Sequence, residues 1–248
     1  ELNVDSLEQL EAACEAEQVR TLKGFGAKTE EAILKGIPLA AQADARMRWA
    51  DADAIAQALL SHMEGVAGVR QQEMAGSYRR GRETVGDLDL LIDADDGAAA
   101  MDRLGEFPGV AEVMLRGDTK MSVRLDQGLQ VDLRVVPAES FGAALQYFTG
   151  SKDHNVEVRG RAKNAGLKVN EWGVYRVQGD SEKYIAGKTD EEVYAALDLP
   201  WFPPELREAR EEFAWAQADA LPELVELADI QGDLHMHTTA SDGKASLE

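Results

Sequence analysis

The 248-residue chain is expected to adopt an α+β fold. A sheet with flanking helices forms its centre, with a smaller α/β subdomain after it and a helical piece before it. Three observations lead there. DLDLLIDA (87–94) reads as a mostly apolar strand, and KMSVRLDQGLQVDLRVVP (120–137) reads as two alternating arms joined by a glycine-containing turn. Helical periodicity surrounds both, with Ile55, Leu59 and Met63 spaced i, i+4, i+8 within residues 45–63.

The elements follow in order. Residues 6–36 read as two short helices around LKGFGAKTEEAIL, joined through a Gly24-Phe25-Gly26 turn. GVAGVRQQEMAG leads as a strand into Gly76-Ser77, where a helix starts with Ser77 as its N-cap. DDGAAAMDRLGEF is a helix. The second arm of the hairpin puts Val131, Leu133 and Val135 on one face, Asp132 and Arg134 on the other. Residues 140–166 are helical and broken at Thr149-Gly150-Ser151. A short strand covers 173–177, and a helix near 190–197 precedes LPWFPPE, which reads as a boundary. Residues 205–228 read as an acidic, solvent-exposed helix or linker. Trp49, Trp172, Trp201 and Trp215 are read as packing residues, Arg79 and Arg82 as surface or salt-bridge residues. His154 reads as either DNA-facing or surface.

Hydrophobic residues make up 44%, ordinary for a globular chain. No apolar run is long enough to span a bilayer and no signal peptide opens the chain, so a cytoplasmic place is expected. The single cysteine, Cys14, excludes an internal disulfide and is read as inert. The chain begins with Glu1 rather than Met and stops without a terminating element, as a piece of a longer parent would.

The net charge of −20 argues against a nucleic-acid partner, since polyanions attract basic surfaces. The distribution of that charge weakens the objection. The first seventeen residues carry six acids and no base, and 205–229 carries eight acids, whereas 151–168 holds five bases against two acids. A local field can differ in sign from the whole.

Asp87 and Asp89, two apart on a strand, share a face. Asp132 lies on the polar face of a strand that could run antiparallel to theirs. Three carboxylates converging from neighbouring strands suit hard divalent cations such as Mg²⁺, and a pair of such ions suits in-line phosphoryl transfer. The Gly76-Ser77 step at a helix start offers free N–H groups to an anion, with Gly76 permitting close approach. Ser77 and Arg80 could bond the phosphates of a nucleoside triphosphate, and Gly86 leaves room for phosphate or metal.

GSYRRG…GDLDLLI with the later VDLRVV resembles the nucleotidyltransferase signature of the DNA polymerase beta superfamily, and YFTGSKDHN (147–155) narrows the resemblance to family X DNA polymerases. The likeness covers roughly residues 5–204. It implies a nucleotidyltransferase palm with a small nucleotide-selection subdomain. By resemblance, Asp87, Asp89 and Asp132 hold two Mg²⁺ (or Mn²⁺), and Asp132 activates a primer 3′-OH. Gly76, Ser77, Arg80 and Gly86 meet the dNTP, and the segment with Tyr147, Phe148 and Gly150 cradles sugar and base. Asn155 and Arg159 match contacts to the nascent base pair and the template. Lys120 matches a DNA-contacting lysine, and Arg134 matches a residue that pairs with the third aspartate in the open enzyme. Lys152 follows the bacterial branch.

LKGFGAKTEEAIL resembles a helix-hairpin-helix in which Gly24 and Gly26 present N–H groups to DNA phosphates. GDLHMHTTASDG resembles the first metal motif of a PHP domain, with His235 and His237 at i, i+2 on a strand and Asp242 beyond. The other ligands for its Zn²⁺ or Mn²⁺ belong to a full-length chain, so this tail is expected to be inactive by itself. The resemblance implies these divisions: 1–38, partial helix-hairpin-helix; 39–145, palm; 146–204, nucleotide and template selection; 205–230, acidic linker; 231–248, start of the PHP domain. It implies a bacterial, nucleoid-associated monomer that fills short gaps in primer-template DNA with dNTPs. A nucleotidyltransferase acting on a non-DNA acceptor, or a weakly catalytic DNA-binding scaffold for the PHP nuclease, are the alternatives.

Overall fold

Apolar spacing along the first forty residues produces two helices, α1 (Leu7–Glu15) and α2 (Ala27–Ala43). The Ser6 hydroxyl caps α1 by accepting from Gln9 N at 3.2 Å. Helix α2 runs past residue 36, where its end was expected, and across the expected division at 38/39. The structure, a computed structural model, describes residues 2, 4–43, 46–179, 181–232 and 234–246, without the side chains of residues 35 and 38–43. The chain divides into two units, Glu1–Glu212 and Phe213–Glu248.

After α2 come β1 (Met47–Arg48), α3 (Trp49–Met63), β2 (Val69–Met74), α4 (Gly76–Arg79), β3 (Thr84–Val85) and β4 (Asp87–Ala94). The helix expected over 45–63 starts at Trp49, because Met47 and Arg48 pair with Val85 and Thr84 instead; residue 45 lies outside the described residues. Helix α5 (Ala98–Gly105) then leads to the meander β5 (Val110–Arg116), β6 (Lys120–Leu125) and β7 (Gln130–Val136). Strand β5 had no alternation to reveal it: six of its seven residues are exposed.

These strands form one mixed sheet, ordered β2-β4-β7-β6-β5. The β6–β7 pair is the antiparallel hairpin the sequence predicts, with Ser122 opposite Asp132. The expected antiparallel pairing of β4 with β7 is corrected: the two run parallel. Helix α5 carries the chain across to the far edge, and two reversals through β5, β6 and β7 bring it back in the direction of β4. Leu88, Leu90, Ile92, Val131, Leu133 and Val135 face the main core with Leu59 and Met63 of α3. The other face takes Leu91 and Val136 under the next helix, with Ala75, Phe141, Ala144 and Leu145.

That helix is α6 (Phe141–Thr149), followed by α7 (Lys152–Asn164). The break falls at Gly150, as predicted, and Ser151 caps α7 by accepting from His154 N. Strands β8 (Leu167–Asn170), β9 (Gly173–Gln178) and β10 (Ser181–Ala186) form a small antiparallel sheet, of which the sequence pattern reveals only β9. Helix α8 (Asp190–Ala195) closes this subdomain.

Residues 205–212, expected as exposed linker, are so only in part: Glu205, Ala209, Arg210 and Glu211 are exposed, whereas Arg207 and Glu212 are buried. Arg207 is fully buried, bonded to Asp190 at 2.8 Å and to Phe202 O at 2.9 Å. Glu212 is buried too, accepting from Ala209 N, Arg210 N and the His154 ring. Net charge hid these partners. His154 is accordingly neither DNA-facing nor surface but fully buried, with Tyr194 on its other ring nitrogen. Trp172 and Trp201 are exposed rather than packed, at 42% and 38%.

The second unit opens with most of α9 (Glu212–Gln217); among its other described residues the regular structure is a 3-10 turn at Leu227–Asp229. The strand expected to carry His235 and His237 does not form: His235 has φ +66°, and the pairing in this stretch is a single bridge, Thr238 with Ala245. His237 Nδ1 is hydrogen-bonded to Asp242 Oδ1. No helix among the described residues is long and apolar enough to cross a membrane.

Candidate active site

Helix α6 covers only one end of its sheet face. Leu91 and Val136 lie beneath it, and two to four residues upstream on the same faces of β4 and β7 are Asp87, Asp89 and Asp132. The parallel register sets Asp89 directly beside Asp132 and Asp87 beside Gln130. The sequence thus places its acids where the covering helix ends, with Asp87 and Asp89 lining a cleft of about 940 Å³.

The three carboxylates differ in surroundings. Burial, then Asp87, then Asp132 push the Asp89 pKa up to about 7, against the pull of Arg134 and Lys120. Asp87 is also raised, by burial and then by Asp132. Asp132 accepts from Ser122 Oγ at 2.5 Å and Gln130 Nε2 at 3.0 Å on Oδ1, while Lys120 Nζ stands 3.3 Å from Oδ2. Lys120 therefore holds the aspartate expected to pair with Arg134. The Arg134 guanidinium lies 4.3 Å from the centre of the Phe148 ring instead.

Oxygen-only donors crowded enough to raise two carboxylate pKa values fit hard divalent cations. Among the described residues no three such side chains stand close enough to share an ion as placed; Asp132 Oδ2 faces Lys120.

Above the carboxylates lies α4. Its N-cap is Ala75 rather than Ser77, which falls in the first turn. Ala75 N donates to Asp89 O at 2.8 Å, tying the helix start to β4. Gly76 has φ +65°, and a Cβ there would run into Asp89 Oδ2. Its missing side chain thus makes room for the aspartate. A Cβ on Gly86 would stand 3.3 Å from Arg46 Nη1.

Gly76, Ser77, Arg80, Asp87 and Asp89 line the cleft together with Tyr147, Phe148, Gly150, Asn155 and Arg159. Gly86, Lys120, Asp132 and Arg134 are outside its lining. Gly24 and Gly26 belong to the turn before α2, and His235, His237 and Asp242 to the second unit. Asn155 is largely committed: its amide accepts from Gln146 at 2.8 Å and donates to Tyr147 O at 2.7 Å. Arg79 bridges Thr149 and Asp190 at 2.9 Å each, the salt-bridge role expected of it.

Sequence reasoning missed Arg46, Gln146 and Glu208. Arg46 lines the cleft, bonds Thr84 and lowers the Asp87 pKa against its burial. It sits 38 residues before its partner in an unremarkable RMR, so no local signal marks it. Gln146, directly before YFTGS, was the most findable of the three.

Residues 46–137 match the family model described as DNA polymerase beta palm, and residues 144–208 match that of DNA polymerase beta thumb. The whole chain is 41% identical over 249 residues to the DNA polymerase/3'-5' exonuclease PolX of Bacillus subtilis (strain 168), covering 43% of that protein. It is 28% identical over 159 residues to DNA polymerase lambda of Rattus norvegicus, across 54% of this chain and 28% of that protein. The DNA polymerase lambda of Arabidopsis thaliana gives 25% over 162 residues, across 53% and 31%. The chain spans less than half the length of each of these curated relatives.

Proposed function

The chain belongs to the family X DNA polymerases, and from that premise we propose that it is a template-directed DNA polymerase that adds dNTPs to a primer 3′-OH. The observation that carries the reading is the carboxylate trio on adjacent parallel strands, two of which, Asp87 and Asp89, line a cleft together with Tyr147, Phe148 and Gly150. Its partners are gapped primer-template DNA and dNTPs, its role is short-gap repair, and it acts as a monomer.

Asp87, Asp89 and Asp132 would hold two Mg²⁺ or Mn²⁺ ions, which when bound neutralise the attacking and leaving oxygens of the in-line displacement. Asp132 Oδ2 is the atom suited to take the primer 3′-OH proton, since Ser122 and Gln130 occupy Oδ1. Lys120 must leave Oδ2 first, and the DNA backbone is the anion that would draw it away. Ser77, Arg80 and Arg46 line the wall where the triphosphate lies. Tyr147, Phe148 and Gly150 cradle the sugar, while Asn155 and Arg159 face the base pair. Gly86 keeps room beside Asp87, and Arg134 braces Phe148. Gly24 and Gly26 offer N–H groups to DNA phosphates, and His235, His237 and Asp242 contribute part of a PHP metal site.

The test is single-nucleotide incorporation on a 5′-phosphorylated one-nucleotide gap, with Mg²⁺ and separately Mn²⁺, on all four dNTPs. Templated extension by the wild type, abolished in Asp132→Ala, is expected. Transfer that gapped DNA does not stimulate would point to a non-DNA acceptor. DNA binding without transfer would point to a scaffold.

A further inference from the structure

Arg80 lines the cleft, and two of its three guanidinium nitrogens are already engaged. Nη1 donates to Thr149 O at 2.5 Å and Nε to Glu208 Oε1 at 2.9 Å. The same oxygen stands 3.5 Å from Arg82 Nη1. A carboxylate between two arginines, inside a cleft suited to phosphate, presents the charge and the acceptor geometry that a phosphate oxygen would bring.

Glu208 is fixed there. Arg207, directly before it, is fully buried and paired with Asp190. The Arg207 carbonyl accepts from Ser151 N at 2.8 Å, so the backbone leading to Glu208 is bound to the start of α7. Charge across the cleft makes the competition even. Its lining holds five bases (Arg46, Arg80, Arg82, Lys152, Arg159) and five acids (Glu83, Asp87, Asp89, Glu205, Glu208). Asp87 and Asp89 belong to the reaction described above; Glu208 has no such use and is the acid bonded to Arg80.

We propose that Glu208 is a built-in competing anion: it occupies Arg80 and Arg82 when the cleft is empty and must be displaced by the triphosphate. The inference rests on the polymerase reading for the identity of that ligand. Nucleotide affinity is lowered by the cost of separating a partly buried ion pair, whose guanidinium and carboxylate are 14% and 19% exposed. After transfer, Glu208 competes with pyrophosphate for the same arginine and hastens its release.

The experiment measures dissociation constants for dNTP and for inorganic tripolyphosphate in the intact chain, comparing wild type with Glu208→Gln, Glu208→Ala and Arg80→Ala. Gap-filling rates are taken on the same samples. Both Glu208 variants are expected to bind both anions roughly ten-fold tighter, the change given by separating one charge-assisted pair, and Arg80→Ala to bind them more weakly. Glu208→Gln keeps an acceptor and nearly the same volume, so a folded variant is available even if alanine disturbs the segment. Unchanged or weaker binding by Glu208→Gln overturns the inference while leaving the polymerase reading intact wherever extension persists. Tighter tripolyphosphate binding with no templated extension in any sample supports the inference and counts against the polymerase reading. Absence of anion binding in all four proteins overturns both.

Discussion

Asp89 and Asp132 lie side by side across the parallel β4–β7 pair, each on the face that α6 leaves open. With Asp87 on the same face, the closeness of these groups joins burial in lifting the Asp89 pKa to about 7. Below about pH 7 the metal-free protein thus keeps a proton on a carboxyl group that water alone would have ionised. A strand pair that holds three acids together at a cost to the folded state has the usual signature of a site arranged for chemistry.

The first prediction is a pH dependence in the presence of chelator. Asp89 has a folded pKa of about 7 against an unfolded value of about 3.9. Folding therefore favours the protonated form. That contribution is fully present below about pH 4 and is lost as the pH rises to about 7. Asp89→Asn imitates the protonated group at every pH. It should match the wild type near pH 4 and exceed it above pH 7 by roughly 1–3 kcal/mol, while losing polymerase activity by about 10³-fold or more. Urea melts in EDTA from pH 4 to 8.5 check the stability; parallel profiles for the two proteins would refute the assignment.

Lys120 supplies the second. Its ammonium, 3.3 Å from Asp132 Oδ2, offsets part of the repulsion among the three acids. Lys120→Met keeps the stem and removes the charge. The metal-free variant should melt a few degrees lower, by about 1 kcal/mol for a partly buried pair. Saturating Mn²⁺ should erase most of the deficit, because the cation takes over the same duty. A deficit of equal size with and without Mn²⁺ would make Lys120 a packing residue only.

The third contrasts two glycines. Gly76→Ala forces a Cβ against the Asp89 carboxylate at φ +65°, so it should cost about 2 kcal/mol or more and abolish incorporation. Gly26 has nothing within 4 Å of a built Cβ and no positive φ. Gly26→Ala should change stability by less than about 0.5 kcal/mol. If the hairpin grips DNA phosphates, its effect will be seen in DNA affinity and salt dependence instead. Equal melting temperatures for the two variants would show that Gly76 has room the geometry denies it.

Legibility followed the range of the signals. Strand β4, the β6–β7 hairpin, the break at Gly150 and the shared face of Asp132 and Arg134 were readable because alternation and turn chemistry act over a few residues. The direction of β4 relative to β7 was not, since it depends on the path through α5 and β5, and β5 has no apolar alternation. The cap at α4 was misplaced by two residues because Ala75 carries no capping oxygen; its backbone is held by Asp89 O. The acids after Pro204 looked like solvated linker, and composition could not reveal that Arg207 reaches Asp190, Glu212 reaches His154, and Glu208 reaches Arg80.

The last prediction concerns that hidden network. Arg207, fully buried, donates to Asp190 through both terminal nitrogens, at 3.3 and 2.8 Å, and lies 5.0 Å from the centre of the Tyr194 ring. Asp190 also accepts from Arg79 at 2.9 Å and from Trp201 at 3.3 Å. Arg207→Met leaves the buried aspartate with one cation instead of two and should destabilise the fold by about 3 kcal/mol. Asp190→Asn alone removes the carboxylate that Arg207 and Arg79 share, so the double variant should cost clearly less than the sum of the two single effects. Additivity of the two single effects would mean that the residues stabilise the subdomain independently, contrary to the geometry. Coupling between them would locate, in stability data alone, the anchor that sets Glu208 beside Arg80.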